Sequence, residues 1–460
     1  MENRQPELFV DEGEDYLSWG RHMRPEQHIV SPGWQGDLPA ILQMDRQGRS
    51  MLARGLGRSY GDACLNPDGI LVDMRRLDHM IRFDRQSGLL QCEAGISLDR
   101  ILQVAVPAGW FLPVTPGTRY VTVGGAVAND VHGKNHHKAG TFGDHVRAFE
   151  LWRSDGQQLL CTPGQNSDMF RATIGGMGLT GIIGRVTLQL IPWPSPYLDV
   201  ETIRFGSVGE FSELCQESDG SWDYTVAWVD CLYDRGIRGH FMRGNPPTGD
   251  GGGQPDRQQS PLLSVPFQAP GFLLNPLLMK AFNSLYYHKQ RQRLVRRRTH
   301  YHPFFYPLDM IGQWNRLYGR RGFFQYQFVL PADRTAVMED IFRKIAGSGL
   351  GSFLAVLKAF GPARPAGLLS FPMEGLTLAL DVPNHGERTR RALQQLDQMV
   401  VAAGGRIYPA KDAVMTPEIW QQSRPDWKEL LAWKDPAMDS GFWRRVTGDA
   451  VKNAGLSRVP

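Results

Sequence analysis

Lysine is scarce in this chain: ten of its 51 basic residues are lysines and the other 41 are arginines. Each lysine therefore stands out, because a compact, titratable ammonium and a permanently charged planar guanidinium do different chemistry. Net charge is also nearly absent. The 51 basic and 47 acidic residues leave +4 over 460 residues, which does not mark a dedicated nucleic-acid binder. The cysteines Cys64, Cys92, Cys161, Cys215 and Cys231 are odd in number, scattered and never spaced C-x-x-C. They exclude a disulfide frame and a zinc site and read as free thiols, mostly small core residues. No apolar run approaches the roughly 18 residues of a membrane span. The opening MENRQPELFVDEGEDYLSWG is acidic and lacks an apolar core, so no secretory signal and a soluble or peripheral protein are expected. No internal repeat or glycine period is visible.

What is present is an ordinary globular composition, 42% hydrophobic and 10% aromatic, on a length that suits two or three domains. From about Ser50 to Pro192, short apolar runs alternate with turn chemistry. MLARG, ILVDM and LLQCEAG predict strands, SLDRILQVAVPAGW predicts a helix capped by Ser97 and stopped by Gly109, and VRAFELWRSDGQQLLC predicts a hairpin around residues 154–156. Beyond IPWPSP, strands are expected in YTVAWVD, FFQYQFVLP, SFLAVLKAFG and LTLALDVP. Amphipathic helices are expected from Arg334 to Ala346 and from Glu387 to Ala403. GNPPTGDGGGQPDRQQSP reads as a mobile loop. The class is α+β: a first domain over 1–195, a substrate or cap domain over 196–405 with mobile loops near 244–300, and a tryptophan-rich segment, 406–460, that packs back.

Three glycine clusters carry the functional signal. Gly55-Leu-Gly57-Arg-Ser-Tyr-Gly61-Asp62 follows a strand and brings bare amides to an anion, but no helix follows it, so a Rossmann loop fails on context. A glycine turn without ligand is the plain alternative. Gly176-Met-Gly-Leu-Thr-Gly181 matches G-x-G-x-x-G literally, yet a helix precedes it and a strand follows, the reverse of the required order. The third cluster is Pro116 to His137. There Gly124-Gly125 opens a short helix of small residues whose free amides suit a pyrophosphate, and His132 lies just beyond. A metal at His132 and His136 lacks a carboxylate partner, and no metal is expected.

The V-G-G-A-x-A-x-x-x-H-G string at 123–133, with the G-x-G-R-S-Y-G-D loop, resembles the vanillyl-alcohol-oxidase superfamily of FAD flavoproteins. Within it, HGKNHHKAGTFGDHVR, GLTGII, FYPLDMIGQWNRLYG, GFFQYQFV, LKAFGP and YPAKD are similar to the decaprenylphosphoryl-β-D-ribose 2′-oxidase family over about residues 50–412. The resemblance implies a two-domain fold, with FAD in the N-terminal domain and an antiparallel-sheet substrate domain. It implies oxidation of the ribose C2 hydroxyl of a polyprenylphosphoryl-β-D-ribose to the 2-keto sugar, the first half of epimerisation to an arabinose donor for cell-wall polysaccharide. A separate NAD(P)H-dependent keto-reductase would complete it. The alternatives are a soluble alditol or aldonolactone oxidase on the same fold and a flavin-free sugar-lipid binding protein.

Carried onto matching positions, the FAD shell comprises Ala53, Arg54, Gly55, Leu56, Gly57, Arg58, Ser59, Tyr60, Gly61, Asp62 and Ala63 of the first loop. Gly117, Thr122, Val123, Gly124, Gly125, Asn129, Asp130, Val131, His132, Ile183 and Tyr408 complete it. Lys411, His132 and Tyr60 are implied as catalytic, and Lys358, Gln325, Gln327, Trp228 and Phe360 as substrate-binding. Superfamily members that tether FAD often use a histidine where this chain has Arg58, so non-covalent FAD is expected. Two departures stand out. Mycobacterial members carry a cysteine where this chain has Ala379, and the family's Y-H-P-L-D-M begins here with Phe305-Tyr306.

The residues themselves support that chemistry. Alcohol oxidation needs removal of the hydroxyl proton, and Lys411 in Y-P-A-K-D can anchor the oxygen or, desolvated, act as base. Its plain alternative is a surface lysine paired with Asp412. Lys358, among apolar neighbours, suits a phosphate or sugar partner. Gln325 and Gln327 are two apart in a strand and share a face, with Tyr326 on the other. Residues 260–282 are apolar and proline-broken, and HKQRQRLVRRRTH follows with six basic residues in thirteen. This composition fits contact with a membrane surface, and the chain is expected to sit peripherally on the cytoplasmic membrane. A nucleic-acid patch and a solvated helix face are the alternatives.

Overall fold

A computed structural model describes residues 7–233, 235–247, 263–268 and 274–453. Most of the glycine-rich stretch read as a loop, residues 248–261, lies outside them.

The first 190 residues build two sheets. Four strands run in the order Phe9–Asp11, Gln27–Val30, Ile70–Asp73 and Met51–Arg54, the last three mutually parallel. Ile70–Asp73 is buried at every residue, as a strand covered on both faces must be. The second sheet is antiparallel, in the order Met80–Asp84, Leu89–Glu93, Ile182–Gln189, Val146–Trp152 and Gln158–Cys161. The expected hairpin joins its last two strands. The helix Leu98–Ala105 starts where the Ser97 hydroxyl accepts the Arg100 amide, and the chain turns out at Gly109, whose φ is +80°. The glycines at 176–181 sit between the helix Ser167–Thr173 and the strand Ile182–Gln189, in the non-Rossmann order.

Eight antiparallel strands form the large sheet, in the order Leu294–His300, Tyr197–Phe205, Gly239–Asn245, Tyr224–Val229, Ala355–Phe360, Gly375–Pro383, Phe323–Leu330 and Arg406–Ile407. Helices Val208–Asp219, Thr335–Ser348 and Glu387–Ala402 supply Phe211, Ile341 and Leu396 to a core with Ala227, Leu357, Leu378, Leu380, Tyr326 and Phe328 of the strands. Side chains alternate along a strand, so the opposite face carries Trp228, Lys358, Thr377, Ala379, Asp381, Gln325 and Gln327. The register lines them up: Gln325 opposes Asp381, and Gln327, Ala379, Val356 and Trp228 form one row across four strands.

The arginine run is not a helix face. Leu294–His300 is the edge strand of this sheet, held by seven register pairs to Tyr197–Phe205. The C-terminal segment touches both halves. Met51 donates its amide to Ala437 O and accepts from the Asp439 amide (2.7 and 2.9 Å), while Trp420, Trp427 and Trp443 are buried in the core beneath the large sheet. No helix among the described residues is long and apolar enough to cross a membrane.

Candidate active site

The first glycine loop leaves strand Met51–Arg54 and is held from behind. Arg54 donates to Leu17 O at 2.7 Å, the Trp19 amide to Ser59 O at 2.9 Å, and the Ser18 hydroxyl to Tyr60 O at 3.1 Å. The amides of Leu56, Gly57, Arg58 and Ser59 have no acceptor among the described residues. Gly57 has φ +61°. Four successive unbonded amides beside a left-handed residue form a concavity suited to an anion. The expectation for Gly124-Gly125 is corrected. Val123 donates to Ile96 O, Gly124 to Ala94 O and Gly125 to Thr122 Oγ1, so those amides are already used. Their glycines serve close packing: a Cβ on Gly124 would stand 2.9 Å from that of Ala94.

The expected FAD shell is brought together around this loop. A Cβ on Gly55 would lie 2.1 Å from Thr122 Oγ1, and Arg58 Nε donates to Tyr120 O at 3.0 Å with its guanidinium 3.8 Å above the Trp19 ring. Gly117 faces open space. Ile183 packs in one core with Val123 and Val127, behind the short helix. Tyr408 donates its hydroxyl to Asn129 O at 2.9 Å. Asp62 and Asp130 turn their carboxylates away, Asp62 to Arg445 and Asp130 to the Gly143 amide and the Ser370 hydroxyl.

Lys411 ends the turn Pro409–Lys411, directly after the last strand of the large sheet. The Tyr60 amide donates to Ala410 O at 2.9 Å, and the Lys411 ammonium lies 4.0 Å from the Tyr60 ring centroid. The surface pairing of Lys411 with Asp412 is not found: Asp412 accepts instead from Arg445 and from the amides of Val414 and Met415. Gly61 lets this turn approach, since a Cβ there would stand 1.8 Å from Asp412 O. Gln325 donates to Asp381 Oδ1 at 2.6 Å. Burial pulls the Lys411 ammonium below its ordinary pKa against the opposing charge of Asp381, and burial pushes Asp381 up. Burial also holds the Tyr60 phenol well above its ordinary value, which keeps it protonated as a donor.

His132 is the hub of the other half. Gln327 Nε2 lies 2.9 Å from its Nε2 and Lys358 Nζ lies 3.0 Å from its Nδ1. Thr377 donates to Phe328 O and therefore accepts from Gln327. Followed inward, Gln327 donates to His132 Nε2, which places the imidazole proton on Nδ1, facing a Lys358 amine that donates on to Gly133 O. Burial, with the charges of Lys134 and Lys411, pulls Lys358 down to about 7, within reach of the neutral amine that accepts from His132 Nδ1–H, and burial keeps His132 neutral. Phe360 sets its ring 4.8 Å from His132. Trp228 donates Nε1 to Phe353 O at 3.1 Å, and its ring centroid lies 4.6 Å from that of Tyr286 at a tilt of 59°.

The sequence reading missed Asp381, Thr377 and Arg445. A lone carboxylate inside LTLALDVP is a signal that could have flagged Asp381. Thr377 and Arg445 become visible only through sheet register and the returning C-terminal helix. Lys134 was also passed over. It is half-buried, pulled down to about 7 by desolvation, and donates to Phe304 O. Of the two departures, Ala379 sits in the middle of the site row. Tyr306 is a core residue whose hydroxyl lies 2.7 Å from Thr115 Oγ1.

Residues 26–162 match the family model described as "FAD binding domain". The chain is 39% identical over 444 residues to the "Decaprenylphosphoryl-beta-D-ribose oxidase" of Mycolicibacterium smegmatis, covering 91% of this chain and 94% of the relative. An "Uncharacterized protein in mprA 5'region" of Streptomyces coelicolor is 33% identical over 78% of this chain and its own full length. The similarity to mouse "L-gulonolactone oxidase" is 29% over 39% of this chain and 41% of the relative.

Proposed function

The chain belongs to the decaprenylphosphoryl-β-D-ribose oxidase family of FAD-binding proteins, and from that membership we propose that it oxidises the C2 hydroxyl of a polyprenylphosphoryl-β-D-ribose to the 2-keto sugar. The observation that carries this reading is the set of polar side chains on one sheet face, Gln325, Gln327, Lys358, Thr377 and Asp381, with His132 bonded to Gln327 and Lys358 and with Lys411 set against the Tyr60 ring. FAD, when bound, supplies the acceptor for the hydride that leaves C2. The amides of residues 56–59 would hold its pyrophosphate, and the loops around Thr122 and Asn129 would enclose it.

Lys411 Nζ takes the hydroxyl proton as the C2–H bond breaks, because burial has made the free amine accessible. Tyr60 remains a phenol and donates a hydrogen bond, and Gln325 and Gln327 orient the sugar hydroxyls. Lys358, with neutral His132 behind it, grips the part of the sugar phosphate remote from the reacting carbon. FAD is held without a covalent bond, since Arg58 is no nucleophile and is pinned between Trp19 and Tyr120. The division at 195 and 405 belongs to this reading, as do peripheral contact with the cytoplasmic membrane and a keto-reductase consuming the product.

The test is spectroscopic. The purified protein should be yellow, and anaerobic polyprenylphosphoribose should bleach it while an aldonolactone should not. Bleaching by the lactone alone would move the chain to the alternative oxidase reading, and a colourless protein that cannot be reconstituted would make it a binding protein.

A further inference from the structure

The helix Pro276–His288 is amphipathic in the wrong direction for a protein surrounded only by water. Its inner side carries Met279 and Asn283, both fully or nearly fully buried, and Asn283 donates to Asp230 Oδ1 and Ser352 O, each at 3.0 Å. Its outer side carries Leu277, Leu278, Phe282 and Leu285, exposed by 81, 50, 49 and 75%. Positions 277, 278, 282 and 285 fall on one stripe at 100° per residue, so this is a continuous apolar face and not scattered leucines. Exposed apolar stripes of this kind mark a contact surface.

The rim of the stripe is basic. Lys289 and Arg291 follow the helix at once, and Arg297 lies exposed on the neighbouring edge strand. Arg291 and Arg297 have no carboxylate partner among the described residues, whereas Arg293, Arg296 and Arg298 are paired to Glu210, Glu201 and Asp199. Where the inner side meets the sheet, Tyr286 packs at a tilt against Trp228 of the site face.

We infer that Pro276–His288 is an interfacial helix that lies on an anionic phospholipid bilayer, with its leucine face in the acyl boundary and Lys289 and Arg291 among the headgroup phosphates. The purpose of this contact rests on the reading of a lipid-borne substrate. A helix with its outer side in the bilayer and its inner side against Trp228 places the mouth of the site where such a substrate presents its sugar. An anionic bilayer is favoured over a protein partner because cations without a carboxylate partner, Arg291 and Arg297 with Lys289 beside them, cluster at the C-terminal end of an exposed apolar strip, and anionic headgroups over acyl chains complement both features.

The experiment uses full-length, flavin-loaded protein and flotation with two vesicles, phosphatidylcholine alone and phosphatidylcholine with phosphatidylglycerol. The wild type should float with the anionic vesicles, less so as salt rises. Lys289→Gln/Arg291→Gln should weaken that binding roughly thirtyfold, about fivefold per cation. Leu277→Glu/Leu285→Glu should abolish it on both vesicles while keeping flavin content and reduction by a short-tailed, water-soluble substrate analogue. Unchanged flotation of the leucine variant overturns the proposal. A wild type that ignores both vesicles but dimerises through this face, with the dimer lost in the leucine variant, overturns it in favour of a second copy. A leucine variant that folds and binds flavin but loses reduction by the soluble analogue overturns it by assigning the face to the site. Vesicle binding without any turnover would leave the inference standing and sink the substrate reading instead.

Discussion

Lys411 and His136 show what burial does to a single titratable group. Lys411→Ala should keep FAD but lose flavin reduction by roughly 10²–10⁴-fold, the usual worth of acid–base help. Lys411→Arg should not restore it, because a guanidinium cannot be deprotonated at working pH. Stopped-flow reduction checks both, and a loss below about tenfold would sink the assignment. Lys358→Ala should instead act mainly on KM if, as proposed, its amine grips a part of the substrate that does not react. His136 is a different case: both ring nitrogens are buried without partners, and its ring packs 4.5 Å from Phe360. Burial, then the charges of Lys358 and His137, lowers it from 6.5 to about 4. The unfolded chain therefore binds the extra proton first. The stability carried by the neutral ring is intact above about pH 6.5 and is lost toward pH 4, up to about 3 kcal/mol. Urea unfolding at the two pH values should show that His136→Phe loses about that much less. Lys411 was singled out by the family resemblance, since its residues alone read equally as a surface pair with Asp412, while the shared face of Gln325 and Gln327 was legible through period-two spacing. The proton on His132 Nδ1 was not, because it depends on Thr377 and Gln327, distant in sequence.

At the scale of elements, the helix Gly441–Asn453 is the clamp on the site. Arg445 makes two bonds to Asp62 of the first loop, at 2.9 and 2.6 Å, and one to Asp412 beside Lys411, at 2.9 Å. Asp62 and Asp412 are almost wholly buried. Removing the cation strands two buried carboxylates, so Arg445→Gln should cost about 3–5 kcal/mol and lower the Tm. It should also weaken FAD retention and shift the pH profile of flavin reduction, because both the cradle and the Lys411 turn lose their common anchor. A lowered Tm with an unchanged profile and full flavin would reduce Arg445 to a structural ion pair. The strands and helices were largely legible, since Ser97, Gly109 and the alternating runs announce themselves locally. Gly124-Gly125 misled because a sequence displays amides without showing that Ala94 and Ile96 have already accepted them. The row of Trp228, Val356, Ala379 and Gln327 joins strands up to about 150 residues apart, and no local pattern states that register. The arginine run became an edge strand through pairing with Tyr197–Phe205, so its charges are best tested by substitution and not by deletion.

For the whole molecule, the expectation of non-covalent flavin gives a plain test: acid or heat should release all the flavin into the supernatant, and yellow colour remaining on the denatured chain would refute it. A larger consequence follows from where the closing contacts come from. The loop proposed to hold the cofactor spans residues 53–63, yet the groups that lock it lie at Ala410, Asp412 and Arg445, and the strand beneath it is completed by Ala437 and Asp439. A ribosome delivers the cradle long before it delivers the lock. The nascent chain can therefore assemble its first sheets early but cannot hold flavin firmly until the segment past 406 has emerged and folded back. Cofactor capture becomes one of the last events in the life of the new chain, and a product arrested before Arg445 should accumulate as colourless apoprotein however much flavin the cell supplies.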